Sequence, residues 1–163
     1  MTKQRREGAE EITVGDAHNM LLALLMLDRD ESMAFEMETR LAIAININAL
    51  QPVGQAYEKS RVQKDREIFG NTHAMREEEA RRLTGDPHKL PENEARQRAD
   101  RMISELRDAK QFDFLEANEA LREKKVSLNL RKIAVSDLNL EENKKIRSQT
   151  VAWLAPILTG LDD

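Results

Sequence analysis

Cysteine is absent from this chain of 163 residues, so neither a disulfide nor a thiolate metal site can form. Glycine and proline are scarce, with six and four residues, and aromatic residues make up only 4% of the chain. Such a composition does not favour a strand-rich fold. Long apolar runs are also missing: the longest, residues 20–27, is much shorter than the roughly 20 residues that cross a bilayer. These absences predict a mainly α protein without a membrane partner.

Charged residues are abundant, at 34%, yet neither sign is in large excess. The net charge of −4 does not favour a nucleic-acid partner, because nucleic-acid-binding proteins usually present a basic face. Residues 1–11 read as a charged tail that contains Lys3, Arg5 and Arg6. Three cations are weak support for phosphate contacts, so we expect an ordinary disordered terminus there. We assign residues 12–163 to a single helical domain.

The clearest pattern is a long helical segment with apolar residues at heptad spacing. The residues on this face, at alternating steps of four and three, are Ile43, Ile47, Leu50, Gly54 and Tyr57. Because this spacing places them along one side of a helix, a partner helix is expected to pack there, as in a coiled coil. We predict one helix over residues 32–69, kinked near Pro52, where proline removes a helical hydrogen bond.

A shorter helix is predicted before the long one. Thr13 can cap its first turn and Asp16 places a carboxylate there, and the apolar stripe runs to Leu27. Residues 28–32 then form a short polar connection in which Ser32 caps the long helix. A connection this short predicts an antiparallel hairpin over residues 16–70. Leu41 and Ile45 add a second apolar stripe to the long helix, so we expect both flanks to be covered there.

The remaining sequence is predicted to hold a charged middle, residues 71–92, and a mixed C-terminal part, residues 93–163. Helical patterns cover residues 93–109, 113–121 and 148–158. Apolar and polar residues alternate from Val126 to Arg131, which indicates a short strand. The partner of this strand is either a returning segment at residues 133–140 or another chain.

An open strand edge beside the only tryptophan is the candidate partner-binding site. Its residues are Val126, Leu128, Leu130, Trp153 and Leu154. Trp153 has two interpretations of equal weight: a lid that closes the core, or an exposed anchor for a partner.

No pattern in the sequence indicates catalysis, a metal site or a cofactor. His18, His73 and His88 are far apart, and none has a second ligand at the spacing of a helical zinc motif. The glycines are too scattered to form a phosphate-binding loop, and no serine has the surroundings of an activated nucleophile. We therefore expect a binding protein, not an enzyme, that uses no metal or organic cofactor.

The order of these elements resembles a family of small tailed-bacteriophage proteins of unknown function. The matching stretches are residues 12–27, residues 41–70 with the Leu50-Gln51-Pro52 step, residues 126–138 and residues 148–158. The resemblance does not extend to residues 74–91. It implies a phage structural or assembly protein that contacts other phage proteins or a second copy of itself. The alternative is a phage effector that inhibits a host or defence protein. Either protein would be made in the host cytoplasm, and the first would join the virion.

Overall fold

A computed structural model describes residues 9–161, and the fold is mainly α, as predicted. Residues 1–8, which include the predicted basic tail, lie outside the described residues. The helices are α1 (Val14–Arg29), α2 (Met37–Phe69), α3 (Thr72–Thr84), α4 (Glu92–Arg122) and α5 (Ser148–Leu154). The strands are β1 (Glu10–Thr13), β2 (Lys125–Leu128), β3 (Ile133–Ala134) and β4 (Leu158–Thr159). Two 3-10 helices, Val135–Leu138 and Ala155–Ile157, complete the elements.

The described residues divide into two compact units. Unit 1 contains residues 9–58 and 121–161, and unit 2 contains residues 59–120. Helices α2 and α4 each contribute residues to both units. Unit 2 is therefore continuous in sequence, whereas unit 1 is assembled from two segments of the chain.

Helix α1 begins where the sequence predicts it. The Thr13 hydroxyl accepts a hydrogen bond from the Asp16 amide at 3.0 Å and donates one to the Asp16 carboxylate at 2.8 Å. Two of the first-turn groups are thereby satisfied, and the carboxylate lies favourably at the positive end of the helix.

Helices α1 and α2 pack in an antiparallel pair within unit 1, as predicted. The His18 ring lies 4.8 Å from the Tyr57 ring, and Leu21, one turn later in α1, meets Gly54, one turn earlier in α2. The approach is close, because a Cβ atom on Gly54 would lie only 2.5 Å from Leu21 Cδ2. A glycine on the heptad face is therefore what allows the two helices to approach this closely.

Helices α2 and α4 differ from the prediction. Helix α2 begins at Met37 and not at Ser32, because Ser32 donates its backbone and hydroxyl hydrogen bonds back to the Asp30 carboxylate in a turn. Helix α4 runs without interruption through residues 110–112, where a break was expected, since Asp113 lies inside a helix that contains neither glycine nor proline. Pro52 lies within α2, which continues past it as one helix, as predicted.

The strand near the C-terminus has a partner that the sequence did not suggest. Strand β2 pairs antiparallel with β1, with Ile12 opposite Val126 and Thr13 opposite Lys125. Glu10 and Glu11, assigned to the tail, therefore belong to a strand. The predicted returning segment, residues 133–140, forms a two-residue strand, β3, that pairs in parallel with β4. A 3-10 helix follows β3 in the chain. Within the described residues, β2 therefore does not pair with the predicted returning segment, and its pairing with another chain stays a prediction.

The core of unit 1 is built around the apolar face of α1. Side chains from α2, β3 and the C-terminal segment complete it, and α5 packs against α1. The members that are fully buried and largest are Met20, Leu24, Leu27, Ile43, Leu50, Ile133, Leu138, Leu154 and Ile157. Leu41 is not among them: it is exposed, and no element in residues 9–161 provides the predicted cover on this flank of α2.

Unit 2 is held by aromatic and ionic contacts between its helices. The Phe69 and Phe114 rings lie 5.6 Å apart, and the Arg107 guanidinium sits 4.7 Å above the Phe69 ring. Arg107 also pairs with Asp65 at 3.1 Å. Lys110 donates a hydrogen bond to the backbone carbonyl of Ile68 at 2.9 Å, near the end of α2, where helical carbonyls have no partner within the helix.

Candidate partner-binding surfaces

The five residues predicted to bind a partner belong to the interior of unit 1. Leu130 and Leu154 are buried in its core, and Val126, Leu128 and Trp153 are half-buried against it. Of the two interpretations of Trp153, the structure favours the lid. These side chains stabilise unit 1 by removing apolar surface from water, and their role in binding a partner stays a prediction.

The three histidines lie apart, each in a separate environment. His18 packs against Tyr57, and its Nε2 atom is 3.7 Å from a carboxylate oxygen of Glu58. His73 lies 3.3 Å from Arg76 Nη2, and His88 lies 3.0 Å from Arg82 Nη1. Within residues 9–161, no group of three histidine or carboxylate side chains is arranged to hold a metal ion.

Two buried asparagines fix the irregular backbone of unit 1, and sequence reasoning missed both. Asn46 accepts a hydrogen bond from the Arg131 amide at 2.7 Å and donates one to the Arg131 carbonyl at 2.9 Å. Asn143 makes the same paired contact with the backbone of Ala34, at 2.7 and 3.3 Å, and also donates to the Leu138 carbonyl. Each asparagine side chain thus satisfies one backbone N–H and one backbone C=O, as a neighbouring strand would in a sheet.

The Asn46 contact places residues 131–133 beside the start of α2, and a groove of about 500 Å³ lies between them. Its apolar residues are Leu41, Ala42 and Ile45 from α2 and Ile133 from the facing segment. Charged residues surround them: Glu36, Glu38, Arg131, Lys132 and Asp137. We name this feature the α2 groove. It is the open flank of α2 on which the sequence predicted a covered stripe.

A tight turn precedes α2 and carries an unusual carboxylate. Hydrogen bonds from the hydroxyl and amide of Ser32 hold the pKa of the Asp30 carboxyl below its ordinary value, and Lys145 acts in the same direction at 3.3 Å. These bonds favour the charged form of Asp30. Asp30, Ser32 and Lys145 are bonded to one another, so these groups stabilise the turn.

A second surface lies on α4 within unit 2. Phe112 is 76% exposed and Leu115, one turn later, is 53% exposed. Asp108, Glu116 and Glu119 lie at helical spacings that place them on the same side as these two residues, and all three are exposed. No salt bridge within the described part of the chain neutralises these carboxylates. We name these five residues the α4 ridge.

The α4 ridge carries the signal of a contact surface. A phenylalanine exposed to this degree keeps a large apolar side chain in water, and aromatic side chains are among the strongest anchors in protein interfaces. No sequence pattern indicated this pair, because Phe112 falls between the predicted helices at residues 93–109 and 113–121.

None of the helices in residues 9–161 is long and apolar enough to cross a membrane.

Comparisons with protein-family models, with curated proteins and with solved structures give no match. The resemblance to small tailed-phage proteins therefore stays a prediction from the sequence.

Proposed function

We propose that this protein is a bacteriophage structural or assembly protein that acts through protein–protein contacts. The observation that carries the proposal is the α4 ridge, where Phe112 and Leu115 present an apolar pair to water. Complete burial of such a side chain is worth about 1.5–3 kcal/mol, so covering the pair stabilises a complex appreciably. The phage context rests on the resemblance of the sequence alone.

The partner is another phage protein or a second copy of this chain, and in both cases it needs an apolar pocket with basic residues around it. The carboxylates of Asp108, Glu116 and Glu119 lie beside the apolar pair, and they would meet cations of the partner. In this proposal the protein needs no metal or organic cofactor and catalyses no reaction. It is made in the host cytoplasm and joins the virion.

Mass spectrometry of purified particles and of infected-cell lysate tests the proposal. We expect the native chain in particles, and a Phe112→Ser/Leu115→Ser double variant reduced at least tenfold there. Gln111→Ser is the matched control, because Gln111 is an exposed polar neighbour on the same helix. Both altered side chains are exposed, so the double variant should fold normally. Absence of the native chain from particles, or equal incorporation of the double variant, would contradict the proposal.

The alternative function is a phage effector that binds and blocks a host or anti-phage defence protein. The observation that favours it is the group of carboxylates on the α4 ridge, in a chain whose net charge is −4. An effector of this type would imitate an acidic ligand of a basic surface. It would remain in the lysate after particles are removed, and its complex would weaken steeply between low and physiological salt.

A further inference from the structure

We infer that the α2 groove of unit 1 binds a basic amphipathic helix of a partner protein. This site differs from the α4 ridge in its residues and in the unit that carries it, so the inference does not rest on the proposed function.

The apolar residues of α2 at the groove are spaced for contact with another helix. Leu41 and Ile45 line the groove one turn apart, and Met37 lies one turn before Leu41, next to the groove on the same side of α2. Met37 is 80% exposed and Leu41 is 59% exposed. No element within residues 9–161 covers them, although single helices of a folded protein usually bury such a stripe.

The charges of the groove favour a basic partner. Lys132 is already engaged, because its ammonium pairs with Glu10 and donates a hydrogen bond to the Pro156 carbonyl at 2.8 Å. Arg131 is then the only cation of the groove that no described carboxylate pairs with. Three carboxylates, those of Glu36, Glu38 and Asp137, surround the same apolar floor. A partner that carries lysine or arginine beside its apolar face complements this arrangement.

The backbone of the groove favours a helix over an extended strand. A strand that binds by β-augmentation needs free amide and carbonyl groups along an edge. The amide and carbonyl of Arg131 are both bonded to Asn46, and β3 is already paired with β4. Because Arg131 is already bonded and β3 has only two residues along its other edge, binding through side chains is favoured, and an amphipathic helix supplies them at matching intervals.

A fluorescent peptide of 14 leucine and lysine residues, with leucine at helical spacing, is a suitable probe. We expect it to bind the full-length chain, as followed by anisotropy at physiological salt. A peptide of the same composition with strictly alternating residues should bind at least tenfold more weakly. A helical peptide with glutamate in place of lysine should show the same loss. Equal binding of the three peptides would overturn the inference, as would no binding by the first.

Substitutions in the groove test whether the peptide binds there. Met37→Ser/Leu41→Ser should weaken binding at least tenfold, and Glu38→Lys should weaken it at least fivefold, because both remove complementary groups. Phe112→Ser, on the other unit, should leave binding unchanged. The four substitutions in these three variants alter exposed side chains, so the far-ultraviolet circular dichroism of every variant should match the native spectrum. A double variant that binds as tightly as the native chain would refute the site.

Sedimentation of the native chain tests whether a second copy is the true occupant. We expect no self-association that depends on Leu41. A dimer that the Met37→Ser/Leu41→Ser variant abolishes would overturn the assignment to a separate partner.

Discussion

Replacing Asn46 with alanine should strongly destabilise unit 1. The side chain is 0% exposed, and it forms two hydrogen bonds with the backbone of Arg131. A buried donor or acceptor that loses its partner costs about 1–3 kcal/mol. Because Arg131 lies at the surface, water can recover part of this loss, and we expect about 2–4 kcal/mol for the two groups together.

The matched control is Asn48→Ala in the same helix. Asn48 is exposed, so this change should alter the free energy of unfolding by no more than about 0.5 kcal/mol. Urea unfolding followed by tryptophan fluorescence is the assay, because Trp153 is the only tryptophan and packs against the core of unit 1. Equal stability of the two variants would show that the Asn46 contact does not fix the segment at residues 131–133.

In Gly54→Ala, the clash with Leu21 should lower the free energy of unfolding by about 1–3 kcal/mol. The higher helix propensity of alanine should offset about 1 kcal/mol of this loss. In a Leu21→Ala background the clash is absent, so the same change should stabilise unit 1 by about 1 kcal/mol. A double-mutant cycle, measured by urea unfolding, tests this, and a cycle that shows no coupling between Gly54 and Leu21 would contradict the close approach. The pKa of Asp30 is lowered from its ordinary value of 3.8, so the charged carboxylate should stabilise the fold above pH 3.8. This stabilisation should disappear as the pH falls through the pKa that Asp30 has in the folded protein. In Ser32→Ala, a carboxyl titration followed by nuclear magnetic resonance should show the pKa of Asp30 moving back toward 3.8, and an unchanged pKa would mean that Ser32 is not the cause.

Local signals predicted the helices well. The cap formed by Thr13 and Asp16, the continuation of α2 through Pro52 and the end of that helix at Gly70 all follow from short-range chemistry. Gly70 has a φ of 77°, a conformation that glycine adopts at little cost. The error in α4 has a similar origin, because Asp113 resembles a cap but interior packing and the absence of a breaker keep the helix intact.

Long-range pairing was beyond what the sequence could predict. Residues 10–13 contain two glutamates and only a single strongly apolar residue, so nothing in them indicates a strand or names β2 as the partner. The burial of the predicted site residues was beyond the sequence for the same reason. Leu128 and Trp153 look like surface residues when their covering segments are unknown. Asn46 did offer a signal, since it lies between Ile43 and Leu50 on the buried side of α2, where a polar residue needs a specific partner.

The pairing of β1 with β2 has a consequence for synthesis of the chain. Thr13 cannot pair until Lys125 has been synthesised, and closing the loop between these two residues costs about 4 kcal/mol in entropy. Unit 2 emerges from the ribosome before the second segment of unit 1 does. During that interval the apolar face of α1 lacks α5, its later cover. The nascent chain therefore passes through a stage in which unit 2 can fold while α1 is open to chaperones, proteases and other nascent chains.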